Sequence, residues 1–96
     1  MPYINEELRK IWDPAIENLI GMIDDNTPVG ILNYTITRIL IKALGNHANY
    51  TRHNGIIGVL SCAQMELYRR ATAILEDIKA KENGDVYFDI NNSQGK

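Results

Sequence analysis

Apolar positions recur along the chain at spacings of three and four, in runs separated by polar or glycine-containing breaks, which is the pattern of amphipathic helices. Asp13-Pro14 reads as a helix start, because aspartate accepts from the free amides of a first turn and proline at the first helical position loses no bond there. Ala15, Ile16, Leu19, Ile20 and Ile23 follow on one face, and Asp24 to Asn26 form a turn. Thr27-Pro28 repeats the start device. The second helix carries Val29, Leu32, Ile36, Ile39, Leu40 and Ala43 inward and stops at Gly45, a residue suited to a left-handed cap. After a short polar connection, a third helix begins at Tyr50 or Thr51 and runs without proline to about Glu82, roughly 45 Å if unbroken. Its seam is Ile56, Leu60, Ala63, Leu67, Ala71, Ile74 and Ile78, the alternation of four and three expected of left-handed helix packing. Gly55 and Gly58 weaken its first turns and predict a close helix approach or a kink. Asn83-Gly84 ends it, Val86 to Ile90 is a short extended candidate, and Asn91 to Lys96 is a polar, flexible tail.

The pattern predicts an all-α fold: a single helical domain over residues 1–96, a small bundle with a long C-terminal helix and a short extended C-terminal tail. Ninety-six residues support only a thin core, so an oligomeric assembly, a homo-oligomer, is expected. The formal net charge of −2 and a pI near 5.6 argue against general nucleic-acid coating, which needs many cationic contacts to phosphate. No run of about 18 to 20 uninterrupted apolar residues is present to cross a bilayer, and Met1 to Glu7 do not look like a secretion signal, so a soluble, cytoplasmic protein is expected. The lone Cys62, among Val59, Leu60 and Ala63, reads as a small core or interface residue rather than a nucleophile.

Candidate chemistry lies on the second and third helices. Glu66 stands three before Arg69 and four before Arg70, within reach of either guanidinium, and Arg69/Glu76 and Arg70/Asp77 are seven apart, nearly one face of a regular helix. The bland reading is a surface charge ladder. The functional one is an arginine pair held by acids to meet a phosphate or carboxylate in bidentate fashion. On the second helix, Asn33 and Thr37 share a face and Tyr34 and Arg38 share the adjacent one; Tyr50 and Asn54 are one turn apart at the start of the third. His47 and His53 have no second ligand at helical spacing, and Asp24-Asp25 and Glu82 with Asp85 lack the oxygen spacing of a calcium loop. No metal site, cofactor or catalytic residue is assigned, and no phosphate loop, nucleophile elbow or paired-cysteine motif occurs.

Gly30, Leu32-Asn33-Tyr34, Thr37, Tyr50, Asn54, Gly58 and Leu60, with Glu66-Leu67-Tyr68-Arg69-Arg70, Glu76-Asp77, Lys79 and Asn83-Gly84-Asp85-Val86-Tyr87, make the chain resemble an uncharacterised family of small phage and prokaryotic proteins. The likeness runs from Pro2 to Tyr87. Members usually carry a proline-tyrosine pair where this chain has Ile74-Leu75. The resemblance implies no activity. Its phage association implies a role against host defence, such as sequestering a nucleotide immune signal in an oligomeric pocket.

The function expected from these residues is non-enzymatic binding of a small anionic ligand, a nucleotide above all. Arg69 and Arg70 would meet phosphate, and Tyr34, Tyr50 or Tyr68 would stack on a base. Asn33, Asn54 and Thr37 would offer polar groups, and Glu66 and Asp77 would orient the arginines. Two alternatives are a small helical metal-dependent nucleotide hydrolase, for which the acids lack a repeated Glu-x-x-Glu arrangement, and a phage protein that docks on a host protein.

Overall fold

A computed structural model describes residues 2–87 of the chain. All of its regular secondary structure is helical: α1 spans Glu6–Ile20, α2 Val29–Leu44, α3 Tyr50–Leu67 and α4 Ala73–Asn83, with a π-helical turn, Tyr68–Thr72, joining α3 to α4. Together α3, the π turn and α4 make the long C-terminal helix that the sequence pattern predicts. No strand occurs among the described residues. Val86 and Tyr87 are not in a strand; the remainder of the expected extended segment and the 91–96 tail lie outside the described residues. The chain divides into two units, residues 1–61 and 62–96.

In the first unit, α1 begins eight residues earlier than Asp13-Pro14 suggests. Asn5 caps it, its side-chain oxygen accepting from the Leu8 amide at 2.9 Å, and Glu6 and Glu7 place negative charge in the first turn. The reason for the early start is the apolar stripe, which extends upstream through Leu8, Ile11 and Trp12 in step with Ala15, Ile16, Leu19 and Ile20. Pro14 therefore sits inside the helix, where a proline removes one backbone bond. Ile23 falls beyond its end. The Asp24 turn is closed by Thr27, whose hydroxyl accepts from the Asp24 amide at 3.0 Å, while the Asp24 carboxylate accepts from the Asn26 amide at 2.8 Å. Thr27 thus serves the turn rather than α2, which starts after Pro28 without a side-chain cap.

Gly45 ends α2 at φ +77°, a backbone region that glycine enters without strain, and its amide donates to the Ile41 carbonyl. Asn49 then caps α3, accepting from the Arg52 amide at 2.8 Å. Arg52 reaches back across the connection: its Nε and Nη2 donate to the Ala43 carbonyl at 3.2 and 2.8 Å, satisfying an acceptor that the end of α2 leaves open. Gly84, at φ +94°, ends α4 with its amide on the Ala80 carbonyl at 2.8 Å, as Asn83-Gly84 predicts.

No described side chain is buried, and α1 and α2 do not pack on one another. Val29, Ile36 and Ile39, expected to point inward, are exposed, while Leu32, Leu40 and Ala43 are half-exposed. Gly55 and Gly58 have open space where a Cβ would stand, so among the described residues no element approaches either closely.

Candidate ligand-binding site

On α2, Arg38 folds back over Tyr34. Its Nη1 donates to the Tyr34 hydroxyl at 2.7 Å, and its guanidinium carbon stands 5.6 Å from the ring centroid, a cation–π contact. Lys42 follows one turn later, and Arg38, Ile39, Ile41 and Lys42 line an open concavity of about 510 Å³. The helix contains no aspartate or glutamate, and neither cation is in an ion pair among the described residues. A chain of net charge −2 thus carries one helix with two positive charges and none to balance them.

Asn33 and Thr37 are drawn together differently from expectation: the Thr37 hydroxyl donates to the Asn33 backbone carbonyl at 2.7 Å, a bond that leaves the amide side chain out. Five residues separate Asn33 from Arg38, about 140° around a regular helix, so Asn33 lies away from the cationic face. Tyr50 and Asn54 stand in the first two turns of α3, both exposed.

In the second unit the π turn reorganises the charged ladder. It is marked by the Ala73 amide donating to the Tyr68 carbonyl five residues back. One residue is absorbed there, so a pair eight apart lies as a pair seven apart would in a regular helix. That aligns Tyr68 with Glu76, and the Tyr68 hydroxyl donates to the Glu76 carboxylate. This bond, with the Glu76 charge adding to it, pushes the Tyr68 phenol above its ordinary value. The same shift undoes the seven-residue pairings: Arg69 and Glu76, and Arg70 and Asp77, are separated as residues six apart would be, roughly 120° around the axis. Within the same unit, the downstream seam residues Ile74 and Ile78 turn away from Ala63 and Leu67 by about 100° for the same reason.

Glu66 meets Arg69, with Oε1 2.8 Å from Nη2. Arg70 is exposed and has no ion-pair partner among the described residues. Asp77 lies in a groove of about 490 Å³ with Tyr68, Glu76, Lys79, Asp85 and Tyr87. Among the described residues no three histidine, cysteine or acidic side chains converge on a metal-sized point, and no helix is long and apolar enough to cross a membrane.

A family model described as "Domain of unknown function (DUF6899)" matches residues 1–86. The chain belongs to this DUF6899 family. The match includes every candidate residue named above and spans α1 to α4 of the DUF6899 chain. No curated protein and no solved structure matches it.

Two features of this DUF6899 chain escape sequence reasoning: the pairing of Tyr68 with Glu76, and Lys42 as a second cation beside Arg38. Glu76 is eight from Tyr68, a spacing that pairs nothing in a regular helix, and no local signal announces the π turn that aligns them. Arg38 and Lys42 were within reach: two cations one turn apart on a helix without acids are visible in the sequence, once net charge is counted per helix rather than per chain.

Proposed function

We propose that this DUF6899 protein is a non-enzymatic binder that sequesters a small anionic ligand of nucleotide type, acting as a homo-oligomer in the cytoplasm. The observation that carries the reading is the cationic face of α2: Arg38 and Lys42 have no acid on their helix, and Tyr34 holds the guanidinium in place. Guanidinium groups bind phosphate through paired N–H donors, and an aromatic ring beside them offers a face for a nucleobase. Tyr34 keeps most of its surface in solvent, at 62 % exposure, and can serve both purposes. In the second unit Arg70, without an ion-pair partner among the described residues and beside the Glu66-held Arg69, supports the same chemistry. Self-association is supported by the absence of any buried side chain among the described residues, since such a chain needs a second surface to cover its apolar faces. The phage association of the resembling proteins makes a host nucleotide signal the natural cargo.

Calorimetric titration of the full chain at low salt with linear and cyclic nucleotides tests the proposal. Binding that is lost in Arg38→Gln/Lys42→Gln, with helicity unchanged, is expected. Equal affinity in that variant contradicts the placement. Binding by neither protein contradicts the ligand class.

The exposed stripe of α1 favours a second reading, docking on a host protein: Ile11 and Trp12 lie open on a helix face that nothing in its unit covers. A stoichiometric protein partner on co-purification, with no nucleotide bound, would support that alternative.

A further inference from the structure

The π turn decides which groups the two arginines of the second unit meet. Glu66 stands three before Arg69, so their contact, 2.8 Å between Oε1 and Nη2, spans no absorbed residue and needs no particular register. Glu76 and Asp77 lie beyond the turn, and for them the register matters. In a regular helix they would stand seven residues from Arg69 and Arg70, about 20° off one face and about 10 to 11 Å along the axis. That span can be bridged: with one residue absorbed, Tyr68 and Glu76 have the same separation, and the phenol, a side chain about as long as an arginine, reaches the carboxylate. Closing the turn as regular helix would therefore transfer Glu76 from Tyr68 to Arg69 and set Asp77 on the face of Arg70. Both guanidinium groups would then face carboxylates, which compete with an incoming phosphoryl group for the same N–H donors. In the π register the two acids are rotated about 120° away, and Arg70 is exposed with no ion-pair partner among the described residues.

We propose that Tyr68 and Glu76 are positioning residues for an anion site at Arg69 and Arg70: their hydrogen bond holds the π register, and the π register keeps both arginines clear of Glu76 and Asp77 for a phosphoryl group. This rests on the anion-binding reading given above and adds to it the device that keeps the second unit's arginines available. Absorbed residues of this kind recur at functional sites inside helices, where they re-aim the side chains that follow. Here the bond ties the first residue of the π turn to α4, so it forms only when α4 is re-aimed. Glu76 thereby has two possible donors, Tyr68 in one register and Arg69 in the other, and the phenol's possession of it leaves the guanidinium free of that acid. Asp77 takes the opposite part from orienting an arginine: it is withheld from Arg70. A site arranged in this way before the ligand arrives does not have to break ion pairs on binding.

The full chain is titrated with inorganic pyrophosphate while the side-chain Nε–H signals of Arg38, Arg69 and Arg70 are followed by NMR, so that each unit reports separately. Pyrophosphate should shift Arg69 and Arg70 in the wild type. Tyr68→Phe should move the Ala73 amide from the carbonyl of residue 68 to that of Arg69, read from backbone NMR, and weaken binding at the two arginines roughly fivefold, the worth of two exposed ion pairs on a helix. Asp77→Asn should change little by itself and should restore binding at Arg70 in the Tyr68→Phe background, a coupling that a purely structural role of the phenol would not produce. Deleting Ala71 gives a regular helix with the facing of the π register, so adding Tyr68→Phe to that deletion should leave pyrophosphate binding unchanged; a loss there would mean that the phenol touches the anion and would overturn the positioning role. An unchanged register in Tyr68→Phe, or no coupling to Asp77→Asn, overturns it as well. Pyrophosphate that shifts Arg38 alone overturns the site at Arg69 and Arg70 and leaves the α2 face standing, and a titration that moves none of the three overturns both.

Discussion

The alignment of Tyr68 with Glu76 depends on one absorbed residue, and changing the residue count tests it. Eight residues of regular helix turn through about 800°, which leaves the two side chains some 80° apart; seven turn through about 700°, within about 20° of one face. Deleting Ala71 from the π turn should let the segment close as regular helix with Tyr68 and Glu76 now seven apart, about 10 to 11 Å along the axis, and the hydrogen bond intact. Inserting one alanine after Ala71 should leave the pair about 80° apart and break it. The readout is the Tyr68 phenol, assigned by ring-carbon NMR against a Tyr68→Phe control and followed through alkaline pH. In the wild type it should titrate above the ordinary phenol value of 10.0 because the Glu76 hydrogen bond favours the neutral form. Glu76→Gln and the insertion should bring it down, and the deletion should leave it raised. The sign for stability follows. A phenol whose folded pKa is raised contributes stability that is fully present below about pH 10 and lost as pH rises through the folded value. A raised titration in the insertion variant, or an ordinary one in the deletion, would refute the register argument.

Other expectations follow from the same structure. Asn5→Ala removes the cap of α1 and should cost about 1 kcal/mol, read as lower helicity and an earlier thermal transition. Pro14→Ala restores a missing backbone bond and should stabilise α1 by up to about 3 kcal/mol; a fall in helicity would show that α1 needs the proline. Gly58→Ala meets open space on a regular helix and should stabilise α3 by about 1 kcal/mol in thermal melts. Loss of assembly without loss of helicity in that variant would instead place another copy against Gly58. Gly84→Ala puts a Cβ at φ +94° and should destabilise the end of α4 by about 1 kcal/mol or more, seen as faster amide exchange at Lys81 to Gly84.

Much of the fold was legible because its punctuation is local. Gly45 and Asn83-Gly84 stop helices through backbone conformations that glycine adopts easily, and the polar connection before Tyr50 separates two periodic runs. Asp13-Pro14 misled because a good local start signal competed with a longer apolar stripe, and the stripe together with the Asn5 cap prevailed. The π turn was not legible: no residue in Tyr-Arg-Arg-Ala-Thr demands it, and every face assignment that crosses it shifts by one position. The candidate site divides along the same line. Glu66 with Arg69 and Tyr34 with Arg38 sit at ordinary helical spacings and are paired as expected, whereas Tyr68 takes a partner that regular periodicity assigns to another face.

Native mass spectrometry of the purified chain, alone and with linear and cyclic nucleotides in the presence of magnesium, tests the central claim most directly when run beside Arg38→Gln/Lys42→Gln. The account predicts a discrete oligomer of the wild type carrying intact nucleotide, and no adduct on the variant. Hydrolysed nucleotide, or an oligomer that carries none, would contradict it.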